Sequence, residues 1–103
     1  MLTDEAIFSI RNHLKSIFAF ARYKNGGTYY EADIFDAEVL LDGRVAVAFM
    51  INEEFPDTHI TEVQLCGADG TILASKTENI VRSDMHEGIF YRFYFTVEEA
   101  VLA

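Results

Sequence analysis

The chain has 103 residues, half of them apolar, with 17 acidic against 8 basic residues and a formal net charge of −9. That length fits one domain spanning 1–103, and that apolar content supplies a core, which excludes intrinsic disorder. No run approaches the roughly 18 apolar residues of a membrane span, the opening MLTDEAIFSI lacks the basic and apolar regions of a secretory signal, and a lone Cys66 excludes an internal disulfide.

Residues 3–24 read as one amphipathic helix. Thr3 suits the N-cap, and Asp4 and Glu5 follow where the helix dipole favours negative charge. Ile7, Ile10, Leu14, Ile17 and Ala21 share a stripe at helical spacing, with Phe18 at its border and Arg11, Lys15 and Arg22 on the flank beyond. Asn25-Gly26-Gly27 closes the helix with residues that tolerate positive φ.

After Gly27 the period changes to two, and antiparallel strands are expected across 28–97. Residues 28–34 are rich in β-formers. Asp42-Gly43 separates 38–41 from 44–51 as a hairpin signal. In 45–51, Val45, Val47, Phe49 and Ile51 alternate with Ala46, Ala48 and Met50, the pattern of a strand covered on both faces. Residues 52–58, with the single proline Pro56, read as a loop. A second hairpin joins 59–66 to 71–76 through Gly67-Ala68-Asp69-Gly70, and 77–88 reads as a polar connection. Ile89, Tyr91, Phe93, Phe95 and Val97 alternate with Phe90, Arg92, Tyr94 and Thr96 in the clearest strand of the sequence. The expected fold is α+β: an N-terminal amphipathic helix packed on an antiparallel sheet, or a small β-sandwich, of five to six strands.

The charge is uneven. Residues 1–27 carry four basic and two acidic groups, and residues 28–103 carry four basic and fifteen acidic ones. Such a body repels nucleic acid and anionic membrane, and it favours a basic protein partner or simple solubility.

Catalytic patterns are missing from the sequence. His13, His59 and His86 lack the spacing of shared metal ligands. Cys66 ends a strand beside acidic Asp69, which opposes an activated thiolate. Carboxylate pairs such as Asp33/Asp36, Glu53/Glu54 and Glu98/Glu99 fall at turns and element ends. No glycine cluster precedes a helix to cradle phosphate. A non-enzyme without metal or cofactor is expected.

The aromatic content is more telling, with nine Phe and five Tyr in so short a chain. The strand at 89–97 places large rings on both faces, and Phe8 and Phe20 fall off the helix stripe. Surplus exposed rings mark protein interfaces. Phe8, Phe20, Phe90, Arg92 and Tyr94, with Arg11, Lys15 and Arg22 as charged partners, form the expected contact set.

The segment 60–74, ITEVQLCGADGTILA, followed by Glu87-Gly88 and the aromatic strand IFYRFYF, resembles the strand–turn–strand of phage tail-fibre and tail-collar proteins. The resemblance covers 59–97 and implies a prophage-encoded structural or assembly protein. Such a protein is cytoplasmic during synthesis, then part of the virion, and contacts copies of itself or other phage structural proteins. Two other expectations stand beside it: an acidic immunity or inhibitor protein covering a basic toxin or nuclease, and a small-ligand module whose pocket between helix and sheet is lined by Tyr29, Tyr30, Tyr91 and Arg92.

Overall fold

Thr3 opens the only helix among the described residues, α1 (Asp4–Ser16), its hydroxyl accepting the Ala6 N–H at 3.1 Å. The computed structural model describes residues 1–51, 57–83 and 88–98. The helix ends at Ser16, eight residues short of the expected boundary, because the period has already changed. From Phe20 onward Ala21, Tyr23 and Asn25 point inward while Phe20, Arg22 and Lys24 point outward, and Phe20–Asn25 is strand β1. Ala21 satisfies a helical stripe and a strand alternation equally well, which is why the two readings overlap there.

Asn25-Gly26-Gly27-Thr28 is accordingly a hairpin turn and not a helix cap. Gly26 and Gly27 both take positive φ, +58° and +87°, as a two-residue turn with right-handed strand twist requires. It leads into β2 (Thr28–Val39), followed by β3 (Val45–Ile51), β4 (Asp57–Cys66), β5 (Ile72–Ser83) and β6 (Ile89–Phe95). All pairings are antiparallel, in the order β5-β4-β1-β2-β3-β6. Most of the described chain is therefore strand, so the expected α+β balance, with a 22-residue helix and a possible sandwich, is corrected. The described residues form a curled six-stranded antiparallel sheet, a half-barrel, carrying one short helix.

Curling follows from β2. Residues 28–33 pair with β1 on one edge, whereas residues 34–39 pair with β3 on the other. The register shifts between Ile34 and Asp36, so Phe35 is the extra residue of a bulge. Bulges bend a strand and increase its twist, and this one sits where β2 changes partners. Further shifts in β4 bend the opposite side.

The concave side holds the core: Ala21, Tyr23, Val45, Val47, Phe49, Ile51, Ile60, Val63, Leu65 and Phe93 are all buried there. Phe18, on the link between α1 and β1, stacks on Phe95 with ring centroids 5.2 Å apart. The helix rests against β2 and β3 and sends Leu14 to the core, with Ile17 following at its C-cap, but none of the helix residues is fully buried. Ile10, expected on the buried stripe, is exposed.

Two further expectations change. β5 runs on to Ser83, through residues read as a polar connection, because Glu78 and Ile80 alternate inward with exposed Thr77, Asn79 and Val81. The loop expected at 52–58 lies outside the described residues up to 56, and Asp57 and Thr58 already belong to β4. The end of the expected polar connection and the tail beyond 98 also fall outside. Among the described residues no helix is long and apolar enough to cross a membrane.

Candidate functional site

The convex face of β2, β3 and β6 is where ring surface collects. Cross-strand pairing sets Met50 beside Phe90, Ala48 between Asp36 and Arg92, and Ala46 between Glu38 and Tyr94. The bulge turns Phe35 out onto the same face, where it meets Phe90 edge to face at 5.7 Å. Phe35 is 67% exposed, Tyr94 47%, Phe90 45% and Met50 37%. The expected covering of both faces of β3 therefore holds for Ala46 and Ala48, which are shielded by their neighbours, and fails at Met50.

Two arginines complete the surface. The Arg44 guanidinium lies 4.6 Å from the Tyr94 ring centroid, and that of Arg92 lies 5.2 Å from the Phe90 ring. Arg92 also donates from Nη1 to the Tyr94 hydroxyl at 3.4 Å. That hydroxyl first, then Glu38 and Asp36, hold Arg92 charged, its pKa raised. The result is a continuous ladder, Phe35–Phe90–Arg92–Tyr94–Arg44. Phe90, Arg92 and Tyr94 follow one another along β6 because side chains two residues apart share a face, and Phe35 and Arg44 reach them from β2 and from just ahead of β3.

Beside this ladder lies an open groove of about 610 Å³, lined by Phe20, Phe35 and Met50, by Glu31 and Asp33, and by parts of Tyr23, Ala32 and Ile34. It forms where β2 leaves β3 at the Phe35 bulge. It is not the expected pocket between helix and sheet, which is filled by Leu14, Ile17, Phe18 and Phe95.

The residues expected to line that pocket are dispersed. Tyr30 stacks on Tyr23, Tyr91 donates to Glu78 at 2.5 Å, and Arg92 is on the convex face. Tyr29 is the centre of a polar cluster on the outer side of β1 and β4. Arg22 and Lys24 lie over its ring at 4.6 and 5.3 Å, and its hydroxyl donates to Glu62 at 2.9 Å. Glu62 also accepts from Gln64 at 2.5 Å and Ser75 at 3.2 Å. These donors, Gln64 foremost and then Tyr29, hold its carboxyl below the ordinary range.

The eight residues of the expected contact set thus divide. Phe90, Arg92 and Tyr94 come together on the ladder, and Phe20 adjoins them across the groove. Arg22 is on β1 with Tyr29 and not on a helix flank. Phe8 is exposed on the helix, Lys15 is half-buried near its end, and Arg11 packs against the β2–β3 turn, its guanidinium beside Gly43. Phe35, Met50, Arg44, Glu31 and Asp33 were not in that set. Phe35 carried a readable signal: Ile34-Phe35 places two large apolar residues in succession within an alternating strand, the mark of a bulge.

Among the described residues the candidates for chemistry stay apart. His13 is exposed on the helix, His59 hydrogen-bonds Asn79 at 2.9 Å, and His86 lies outside the described residues. Cys66 is buried, and burial raises its thiol pKa. Asp33 is in the groove and Asp36 on the ladder face, while Glu53, Glu54 and Glu99 lie outside the described residues. No three His, Cys, Asp or Glu side chains among the described residues are placed to hold a metal ion. No family model, curated protein or solved structure matches the chain.

Proposed function

We propose that this chain is a non-catalytic module that works by protein–protein contact, with the convex face of β2, β3 and β6 as its contact surface. One observation carries the reading: the unbroken, solvent-facing ladder of Phe35, Phe90, Arg92, Tyr94 and Arg44. The core of the half-barrel closes on the other side of the same strands, so these rings are surplus to it. Aromatic residues and arginine are also the types that dominate binding energy at protein interfaces. The similarity of 59–97 to phage tail-fibre and tail-collar proteins makes a prophage or virion assembly the proposed setting. A second reading, an acidic inhibitor of a basic protein, is favoured by the net charge of −9 and by the carboxylates of Glu31 and Asp33 in the adjoining groove.

The test is site-specific photo-cross-linking in the cells that encode the protein. A benzophenone side chain at position 90 is compared with one at position 81, where Val81 is also exposed, on edge strand β5. The expected result is a discrete adduct from position 90 only, lost on Arg92→Glu. A basic adduct, weakened in high salt, selects the inhibitor reading. No adduct from position 90, or the same adducts from both positions, contradicts the contact surface.

A further inference from the structure

The groove beside the ladder joins apolar surface to carboxylates that the fold does not use. Phe20, Phe35 and Met50 line it together with Glu31 and Asp33. No described cation forms a salt bridge with either carboxylate. Arg22, the cross-strand neighbour of Glu31, is turned over the Tyr29 ring together with Lys24. The volume of about 610 Å³ falls within the roughly 300–1,000 Å³ typical of ligand sites. We infer that this groove binds an extended basic segment of the partner protein, in which lysine or arginine alternates with apolar residues.

The chemistry selects that occupant. A lysine or arginine lays its methylene stem along apolar surface and presents its charge at the tip. Phe35 and Met50 offer the surface, and Glu31 and Asp33 receive the tip. Apolar residues of the same segment that lie beyond the groove would reach the ladder, with which the groove shares Phe35. A second copy fits poorly, since each copy carries the same charge of −9 and its ladder arginines are already engaged by Phe90 and Tyr94. A nucleic acid would bring phosphates against the carboxylates.

The inference rests on the contact-surface reading, and one titration separates the two. The isotope-labelled full chain is titrated with a ten-residue peptide of alternating arginine and leucine, and amide shifts are followed by NMR. Saturable binding is expected, with the largest shifts at residues 31–35 and 50. Affinity should fall about tenfold or more in Glu31→Gln/Asp33→Asn and in Phe35→Ser. It should stay within about twofold in Asp57→Asn/Glu98→Gln, which removes the same charge from exposed sites elsewhere. An arginine–glycine peptide should bind far more weakly. The inference is overturned if the arginine–leucine peptide does not bind, if the remote pair of substitutions weakens it equally, or if the shifts map to the helix. Shifts confined to 90–94, with loss of binding only in Phe90→Ser/Tyr94→Ser, would overturn the groove and leave the ladder standing.

Discussion

Tyr91 and Glu78 join the two outermost strands of the sheet. The Tyr91 hydroxyl on β6 donates to Glu78 Oε1 on β5 at 2.5 Å, although β5 and β6 lie at opposite ends of the strand order and share no ladder. This contact spans the open side of the half-barrel. Lys76 approaches the same carboxylate oxygen at 3.4 Å.

Tyr91→Phe keeps the ring against Phe49 and Phe93 and removes only the donor. A hydrogen bond to a charged group supports a loss of about 1–2 kcal/mol, read as a lower urea midpoint with unchanged slope. Glu78→Gln keeps an acceptor and should cost less.

The same pair sets a pH dependence at both ends. Glu78 is held below its ordinary 4.5, by the Tyr91 hydroxyl first and then by Lys76. A depressed carboxyl stabilises the fold above its unfolded value, and that contribution is lost as pH falls through the folded value. Burial first and Glu78 second raise the Tyr91 hydroxyl above its ordinary 10.0. Its contribution is therefore complete below pH 10.0 and is lost as pH rises through the folded value. Unfolding midpoints measured from pH 2 to 11 should fall at both extremes, and Tyr91→Phe should flatten both falls.

Gly43 and Arg11 couple the helix to the β2–β3 turn. Gly43 has φ +89°, and a Cβ there would meet the Arg11 guanidinium at 2.7–3.1 Å. Gly43→Ala should destabilise by about 1 kcal/mol or more, and Arg11→Ala in the same chain should recover only the steric part. Gly26→Ala, at φ +58° with nothing within 4 Å, carries the backbone strain alone. A double-mutant cycle by thermal unfolding should show coupling for Gly43 with Arg11 and none for Gly26 with Arg11.

On the outer side of β1 and β4, Tyr29 contributes through both its ring and its hydroxyl. Tyr29→Phe leaves Arg22 and Lys24 over an aromatic face and frees one Glu62 oxygen. Tyr29→Ala removes both. Thermal stability should fall in the order wild type, Tyr29→Phe, Tyr29→Ala. In high salt the gap between the Phe and Ala variants should narrow, because exposed cation–π contacts are electrostatic.

The alternation at 45–51 and 89–95 is strict enough to identify two neighbouring strands and their faces from sequence. The helix end was harder to read: Ile17 and Ala21 continue a helical stripe, while Phe18, Phe20 and Tyr23 argue for a strand, and local spacing does not arbitrate. Asn25-Gly26-Gly27 serves a helix cap and a hairpin turn equally well. Curling arises from β2 changing partners at Phe35, a long-range event that only the Ile34-Phe35 doublet hints at. The placement of Phe90, Arg92 and Tyr94 on one strand face was legible in the alternation of 89–95, whereas the groove, which needs β1, β2 and β3 together, was not.

The central claim is that the fold does not need the rings on the convex face. Chemical unfolding of the triple variant Phe35→Ser/Phe90→Ser/Tyr94→Ser, set beside Phe93→Ala, tests it most directly. Phe93 shares β6 with Phe90 and Tyr94 but is 7% exposed and belongs to the core. The account predicts about 0.5 kcal/mol or less per exposed ring against about 3–5 kcal/mol for Phe93→Ala. A loss of about 2 kcal/mol or more per exposed ring would place those rings in the folding core and contradict a surface set aside for a partner.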